Sequence, residues 1–423
     1  MRSNAVMMWD QQNEIDGELL ACLRAEEARQ RDSLEMVASE SIQPRTALML
    51  AGSAFNNKTA VGRVGNQRLL GSQQADCLER LAAERACAIF GADHANLTTY
   101  SGSVANFCAY ASVMKPGDRA LAMEPASGSH QSHGGKKNIS AKLYDFDFFG
   151  LKPDTLEIDY ETAAKKAAEQ GPKLIIVGSA AYPRRFDYER LAHIAHQNGA
   201  LLMADIAHFT GLVAAGLSPN PVPYADIVTG STTKTMCGPH SGFIMCKAAL
   251  AETVEAGIYP GYVASLHLQT VAAMAYALQH SQTVEFKELM QRVLANASAM
   301  CEALKRRGFG IFTGGTDCHM FLVELHRFGI DGVRFAQVLE EIGITTNSKG
   351  IPFDPSPVAM GLRAGTTVLS QRGMGEAEMD RIAEIFLQAA LHHEDAEVLN
   401  RLRQEVEALC RTFPIPEQYA CEL

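Results

Sequence analysis

At 423 residues the chain is too long for one small core, so two domains are expected. Its 47% hydrophobic and 20% charged residues describe an ordinary globular enzyme with no bias toward disorder. Acidic side chains outnumber basic ones 48 to 38, and the net charge of −10 argues against nucleic acid or an anionic membrane as the main partner.

The first residues, Met1-Arg2-Ser3-Asn4-Ala5, lead into polar sequence rather than the apolar stretch of a secretory leader. No apolar run approaches the roughly 20 residues that span a bilayer. Residues 12–35 are rich in Glu, Arg, Gln and Ala and predict a helical arm within residues 1–36. From residue 75 onward helical stretches alternate with short apolar runs. Residues 77–90 place Leu78, Leu81, Ala82 and Ala86 at helical spacing. Residues 174–177, 201–204 and 227–228 are apolar throughout, and residues 188–198 between them read as a helix. Continuous apolar strands between helices predict an α/β fold, its mostly parallel sheet covered on both faces, over residues 37–285. Past residue 285, helical stretches flank residues 311–325 and 342–347, and residues 374–411 are amphipathic. They predict a smaller C-terminal α+β domain over residues 286–423.

Ten cysteines stand at 22, 77, 87, 108, 237, 246, 301, 318, 410 and 421 with no C-x-x-C pair. Neither a metal site nor a disulfide framework is expected, and a reduced cytoplasmic setting fits. Cys237 draws notice because it follows Lys234 by three residues.

Chemistry concentrates around Ser231-Thr232-Thr233-Lys234-Thr235, with Asp205 and His208 upstream. A lysine just past one strand and an aspartate ending another is what pyridoxal phosphate requires: the amine bonds the aldehyde, and the carboxylate keeps the pyridine nitrogen protonated. Ser-x-x-Lys alone also fits a serine–lysine hydrolase or a solvated lysine. Ser101-Gly102-Ser103 opens a helix, where free amides and the dipole bind phosphate, although a simple N-cap reads the same way. His130 and His133 lie in a glycine-flanked loop. A metal pair lacks a third ligand there, so an imidazole stacked on a cofactor ring is the better functional reading, against solvated loop histidines. Gly134-Gly135-Lys136 has the wrong spacing for a phosphate loop. Arg363, in Gly361-Leu362-Arg363-Ala364-Gly365-Thr366, can grip a carboxylate with two parallel hydrogen bonds, with a surface ion pair as the plain alternative.

In order along the chain, several runs resemble serine hydroxymethyltransferase, a fold-type I pyridoxal phosphate enzyme. They include Val37-Ala38-Ser39-Glu40-Ser41, Phe90-Gly91-Ala92-Asp93-His94-Ala95-Asn96, Ser101-Gly102-Ser103, Gly211-Leu212-Val213-Ala214-Ala215-Gly216-Leu217 and Leu362-Arg363-Ala364-Gly365-Thr366. The resemblance implies that Lys234 bonds the cofactor and Asp205 pairs with its ring nitrogen. It places His208 beside the phenolic oxygen and His130 on the ring. Ser103 and the Gly102 amide would bind the phosphate, with Ser101, Ser231 and Ser265 nearby, while Ser39 and Arg363 would hold the amino acid's carboxylate. It also implies a homodimer with shared active sites.

The departures from that pattern are specific. Thr59 and Val61 stand where the family has a tyrosine and the glutamate that handles protons in folate-dependent transfer. Arg68-Leu69 replaces a Tyr-Tyr pair, Thr233 a histidine, His240 an arginine, Ala180 a serine and Ala264-Ser265 a Gly-Gly pair. Arg68 could bind an acidic or phosphorylated acceptor or make an ion pair at the dimer interface. Cofactor and carboxylate positions are kept while the folate wall is changed. The expectation is therefore folate-independent aldol or retro-aldol chemistry, as an aldolase or transaldolase, on a β-hydroxy amino acid such as serine or threonine. The alternatives are serine–glycine hydroxymethyl transfer with tetrahydrofolate, another α-carbon reaction (transamination, racemisation or decarboxylation), and a non-catalytic relative.

Overall fold

A computed structural model describes residues 15–419; the first residues of the expected arm, 1–14, and Cys421 lie outside the described residues. The large sheet has seven strands. In chain order they are β1 His94–Asn96, β2 Arg119–Met123, β3 Asp145–Phe149, β4 Leu174–Gly178, β5 Leu201–Asp205, β6 Ile227–Ser231 and β7 Gly242–Cys246. Their order across the sheet is β1-β7-β6-β5-β4-β2-β3. The five strands from β6 to β3 run parallel, and β7 and β1 close one edge antiparallel. That antiparallel edge was not among the expected strands.

β4 is buried at all five residues because helices cover both faces, which is why its sequence is apolar without alternation. Alternate residues feed two cores. Ile175, Val177, Leu202 and Ala204 belong to one, and Leu174, Ile176 and Met203 to the other. The parallel register sets Gly178 beside Asp205 and Asp205 beside Thr229. The carboxyl ends of β4, β5 and β6 therefore share one edge, where open α/β sheets bind ligands.

A third core lies under a four-stranded antiparallel sheet: β8 Gly310–Ile311, β9 Met320–Glu324, β10 Asn347–Lys349 and β11 Gly361–Gly365, ordered β8-β9-β11-β10. The amphipathic C-terminal run forms two helices, Glu376–Leu391 and Ala396–Thr412. Phe386 of the first packs edge-on to Phe335, both fully buried. The expected arm is the helix Gly17–Asp32, capped by Asp16 and with no buried residue. Leu34–Glu35 after it pairs parallel with Ile344–Thr345, and Leu34 and Met36 enter this third core.

Buried Arg372 rivets these ends. Its guanidinium donates to the carbonyls of Ser33 (2.7 Å), Arg31 (2.9 Å), Cys410 (3.0 Å) and Phe413 (2.7 Å). Among the described residues no helix is long and apolar enough to cross a membrane.

Candidate functional site

Asp205 ends β5 at the shared carboxyl edge. Its Oδ1 accepts from the Ala207 amide (2.8 Å), and its Oδ2 from Asn106 Nδ2 (2.8 Å) and His133 Nε2 (3.2 Å). The Thr229 hydroxyl donates to Asn106 Oδ1 (2.6 Å), which fixes the amide with its donors toward Asp205 and the Ser132 hydroxyl. Burial opposes the charge on Asp205. The His133 hydrogen bond, the Lys234 charge and the Asn106 amide outweigh it and hold the carboxyl well below its ordinary range. A permanent buried anion results. Gly178 behind it admits no side chain, since a Cβ there would stand 2.7 Å from Asp205 Cβ.

His130 shares the loop with His133 and its tautomer follows from the backbone. The Ser132 amide must donate, and it reaches His130 Nδ1 at 3.2 Å; the Ser132 hydroxyl donates to the same atom at 2.7 Å. Nδ1 therefore holds a lone pair and Nε2 carries the proton. Burial, with His133 next, pushes the ring down to about 4, so it is neutral at physiological pH. His130 offers an N–H donor at Nε2 and no second free lone pair.

His208 is buried against His319, ring centroids 5.4 Å apart, with Nδ1 3.2 Å from His319 Nε2. His319 Nε2 also lies 2.9 Å from the Ala38 carbonyl, which can only accept, so Nε2 carries the His319 proton. Burial pushes His319 down to about 3 and His208 well below its ordinary value; the Lys234 and Arg363 charges add to both. The His319 nitrogen facing His208 thus bears a hydrogen. The compatible His208 has its lone pair on Nδ1 and its proton on Nε2. The contact also ties the loop after β5 to the segment holding half-buried Ser39.

Lys234 sits in a tight loop where the Gly238 amide donates to the Thr232 carbonyl (2.7 Å) and the Thr232 hydroxyl to the Pro239 carbonyl (2.7 Å). The Ser41 hydroxyl donates to the Thr233 carbonyl (2.5 Å) from across the fold. Burial lowers the Lys234 amine to about 8; Asp205 resists the shift and Arg363 adds to it. A serine–lysine hydrolase is disfavoured, because the Ser231 hydroxyl donates to the Ser241 carbonyl (2.9 Å) rather than to Lys234. Cys237 is no nucleophile either: burial pushes its thiol up to about 12.

Ser101 caps the helix Gly102–Val113 by accepting from the Val104 amide (3.2 Å), so its side chain takes the plain structural role. The amides of Gly102 and Ser103 lie in the first turn, where a helix offers them no acceptor. That turn packs at the site: a Cβ on Gly102 would lie 3.7 Å from Ser231 Cβ and 3.8 Å from Ala207 Cβ. Ser265 is exposed, its carbonyl accepting from the Tyr100 hydroxyl. Arg363 on β11 donates through Nε to Asn347 Oδ1 (3.0 Å) and through Nη1 to the Ala180 carbonyl, with burial pulling its pKa down. Ser179, next to Ala180, spends its hydroxyl in a local turn with Tyr182.

Lys234, Asp205, His130, His208 and Arg363 therefore lie close enough to act on one another's charges. Arg68 is not brought to them: exposed on the hairpin after Val61, it donates to the Tyr259 hydroxyl (2.5 Å) and leans over that ring. Sequence reasoning missed Asn106, His319 and Thr229 and gave His133 no role of its own. Only His133, inside the glycine-flanked loop, and Asn106, on the helix that Ser101-Gly102-Ser103 opens, carried a signal. The donor set fits pyridoxal phosphate: a buried anion, a desolvated amine, two neutral imidazoles and free amides at a helix start.

A family profile described as serine hydroxymethyltransferase matches residues 12–386. The serine hydroxymethyltransferase of Acidobacterium capsulatum is 41% identical over 402 residues, covering 95% of this chain and 94% of its own. That of Koribacter versatilis is 40% identical over 414 residues, covering 97% of each. The chain belongs to the serine hydroxymethyltransferase family and is a fold-type I, pyridoxal phosphate-dependent transferase. The expectation that tetrahydrofolate plays no part gains no support from relatives bearing that name.

Proposed function

We propose that this member of the serine hydroxymethyltransferase family makes or breaks the Cα–Cβ bond of a β-hydroxy amino acid such as serine or threonine. When bound, pyridoxal phosphate supplies an electron sink for the charge left on Cα. Asp205, held ionised by His133 and Asn106, keeps the proton on the cofactor's ring nitrogen. Lys234 would hold the cofactor covalently, and its amine, lowered by burial to about 8 when free, suits it to hold or pass a proton near Cα. His208 and His130 would each offer Nε2–H as a donor to an oxygen of the bound ligand. Arg363 and Ser39 orient the α-carboxylate, and the Gly102 and Ser103 amides anchor the phosphate. Because His130 offers a donor, the base for the β-hydroxyl proton is better sought in a bound water than in that ring.

The observation that carries the folate-independent version is Val61. An aliphatic side chain cannot move a proton where the family pattern has glutamate, and Arg68-Leu69 removes the paired tyrosines beside it. The second reading, hydroxymethyl transfer from serine to tetrahydrofolate, is supported by the names of relatives 40 and 41% identical. Glycine release from L-serine and L-threonine, measured with and without tetrahydrofolate, separates them. Stimulation by the folate sinks the first version, and absence of glycine from either amino acid sinks the aldol reading altogether. Product analysis with alanine and aspartate tests transamination, racemisation and decarboxylation.

A homodimer belongs to the same proposal, as does a cytoplasmic setting. Val64, Leu69, Leu70 and Tyr262 are large apolar side chains left exposed on one chain, Leu70 at 96%. They flank in sequence Arg68, which could make an ion pair at a dimer interface, and Ser265. Sedimentation at micromolar protein checks the dimer.

A further inference from the structure

Lys349 ends β10, and the strand register fixes where its side chain goes. Asn347 stands opposite Arg363 across the β10–β11 ladder and Lys349 stands opposite Gly361. Directly paired residues share a face, and so do residues two apart on one strand. Arg363, Asn347 and Lys349 therefore project from the same face, the one whose Arg363 reaches the Ala180 carbonyl beside the cofactor site. Gly361 has no room for a side chain next to Lys349: a Cβ there would come 2.4 Å from Ile351 Cδ1 and 2.5 Å from the Lys349 carbonyl. Ser348 and Leu362 point the other way, and Leu362 is fully buried in the third core.

The charges on this face do not balance. Lys349 is half-buried, yet among the described residues its ammonium has neither a hydrogen-bond acceptor nor an ion-pair partner. Arg363 likewise has no carboxylate partner there, although both its described bonds go to neutral oxygens. Burial and the neighbouring Arg363 lower the Lys349 pKa, and the Lys349 charge is felt at His130. At His130 the charges of Lys234 and Lys349 meet that of Asp205, and Arg363 acts on both lysines, in a protein whose net charge is −10. Buried cations are normally paired; Lys234 faces Asp205, while Arg363 and Lys349 are left for anions that arrive with the ligand.

We propose that Lys349 is a specificity residue that binds a second anionic group of the substrate, a carboxylate or phosphate carried beyond the β-carbon, while Arg363 takes the α-carboxylate. This rests on the aldol reading above and names its substrate class: acidic β-hydroxy amino acids, or equivalently an aldehyde acceptor with an anionic tail. For 3-hydroxyaspartate, cleavage breaks the Cα–Cβ bond. The β-hydroxyl proton passes to water and the bond's electron pair to Cα, which takes up a proton. Glycine and glyoxylate result with no oxidant or reductant.

The test is calorimetric titration of the holoenzyme with L-threo-3-hydroxyaspartate, 4-phosphohydroxy-L-threonine and L-threonine, in wild type, Lys349→Met and Lys349→Arg. Wild type binds at least one acidic ligand about 10-fold or more tightly than threonine, and the tighter arm distinguishes carboxylate from phosphate. Lys349→Met loses that preference by about 10- to 100-fold while threonine affinity stays within about 2-fold; Lys349→Arg retains it. Equal weakening of all three ligands in Lys349→Met, or of none, overturns the proposal. Threonine cleavage without a Lys349-dependent preference sinks this inference alone. Lys349-dependent binding of acidic ligands without cleavage sinks the aldol reading alone.

Discussion

His133 Nε2 lies 3.2 Å from Asp205 Oδ2, joining two buried side chains 72 positions apart. The bond is what lets a carboxylate remain ionised where burial alone would protonate it. Asp205 is held below its unfolded value, so its charge stabilises the fold above that value and the benefit is lost as pH falls through the folded pKa.

His133→Phe removes the hydrogen bond to Asp205 while burial remains, so Asp205 titrates at higher pH. We expect the acid limb of kcat/KM to move up by about 1 unit or more, and activity at neutral pH to fall about 10-fold or more. An acid limb identical to wild type would show that His133 does not govern Asp205.

Lys234 sets function against stability. Its pKa in the fold, about 8, lies below the ordinary lysine value. The cost of burying the ammonium is fully present below pH 8 and fades as pH rises from there toward the unfolded value. Cofactor-free Lys234→Met is therefore more stable than cofactor-free wild type at pH 7, on the order of 1–2 kcal/mol, and the gap closes by pH 10. Denaturant midpoints at pH 7 and pH 10 measure it. The same variant loses the covalent cofactor and falls in activity by about 10³-fold or more. Equal midpoints for the two proteins at pH 7 would count against the desolvated amine.

Asp205 and Lys234 were legible in the sequence because one ends an apolar strand and the other follows one by three residues, and parallel sheets bring strand ends together. His319 was not, because its partners His208 and Ala38 are 111 and 281 positions away and only folding makes them neighbours. Lys349 reads as a polar turn residue, Ser348-Lys349-Gly350, until the register with β11 sets it beside Arg363. Likewise Leu34 and Met36 looked like the tail of a polar arm. Their burial depends on pairing with Ile344–Thr345, some three hundred residues on. Local periodicity carries no information about such pairings.

Arg372 shows the energetic side of one such non-local contact. Only 3% exposed, it satisfies carbonyls of residues 30–33 and of the last helix. Arg372→Met leaves several buried carbonyls without donors, and we expect a loss of about 3 kcal/mol or more in unfolding free energy. Arg372→Lys recovers only part, because an ammonium lacks the planar fork. Urea unfolding at constant m-value reads both, and a loss under about 1 kcal/mol for the methionine variant would refute the rivet.

The last prediction concerns how His319 acts through its neighbours. Its Nε2–H meets the Ala38 carbonyl, so it supports the Ser39 segment, and it leaves His208 Nδ1 as the unprotonated nitrogen. Phenylalanine at 319 keeps the stack and the volume but removes the donor. His319→Phe should therefore raise KM for the amino acid about 10-fold and change kcat as His208 samples the wrong tautomer. Glutamine places an amide N–H where Nε2–H stands, so His319→Gln should recover most of both. Because burial keeps His319 neutral, with a pKa near 3, neither variant should add or remove a limb in the pH profile above pH 5. Nitrogen-15 spectra of the His208 ring report its tautomer directly. An unchanged Nε2–H tautomer in His319→Phe, with unchanged KM, would confine His319 to packing.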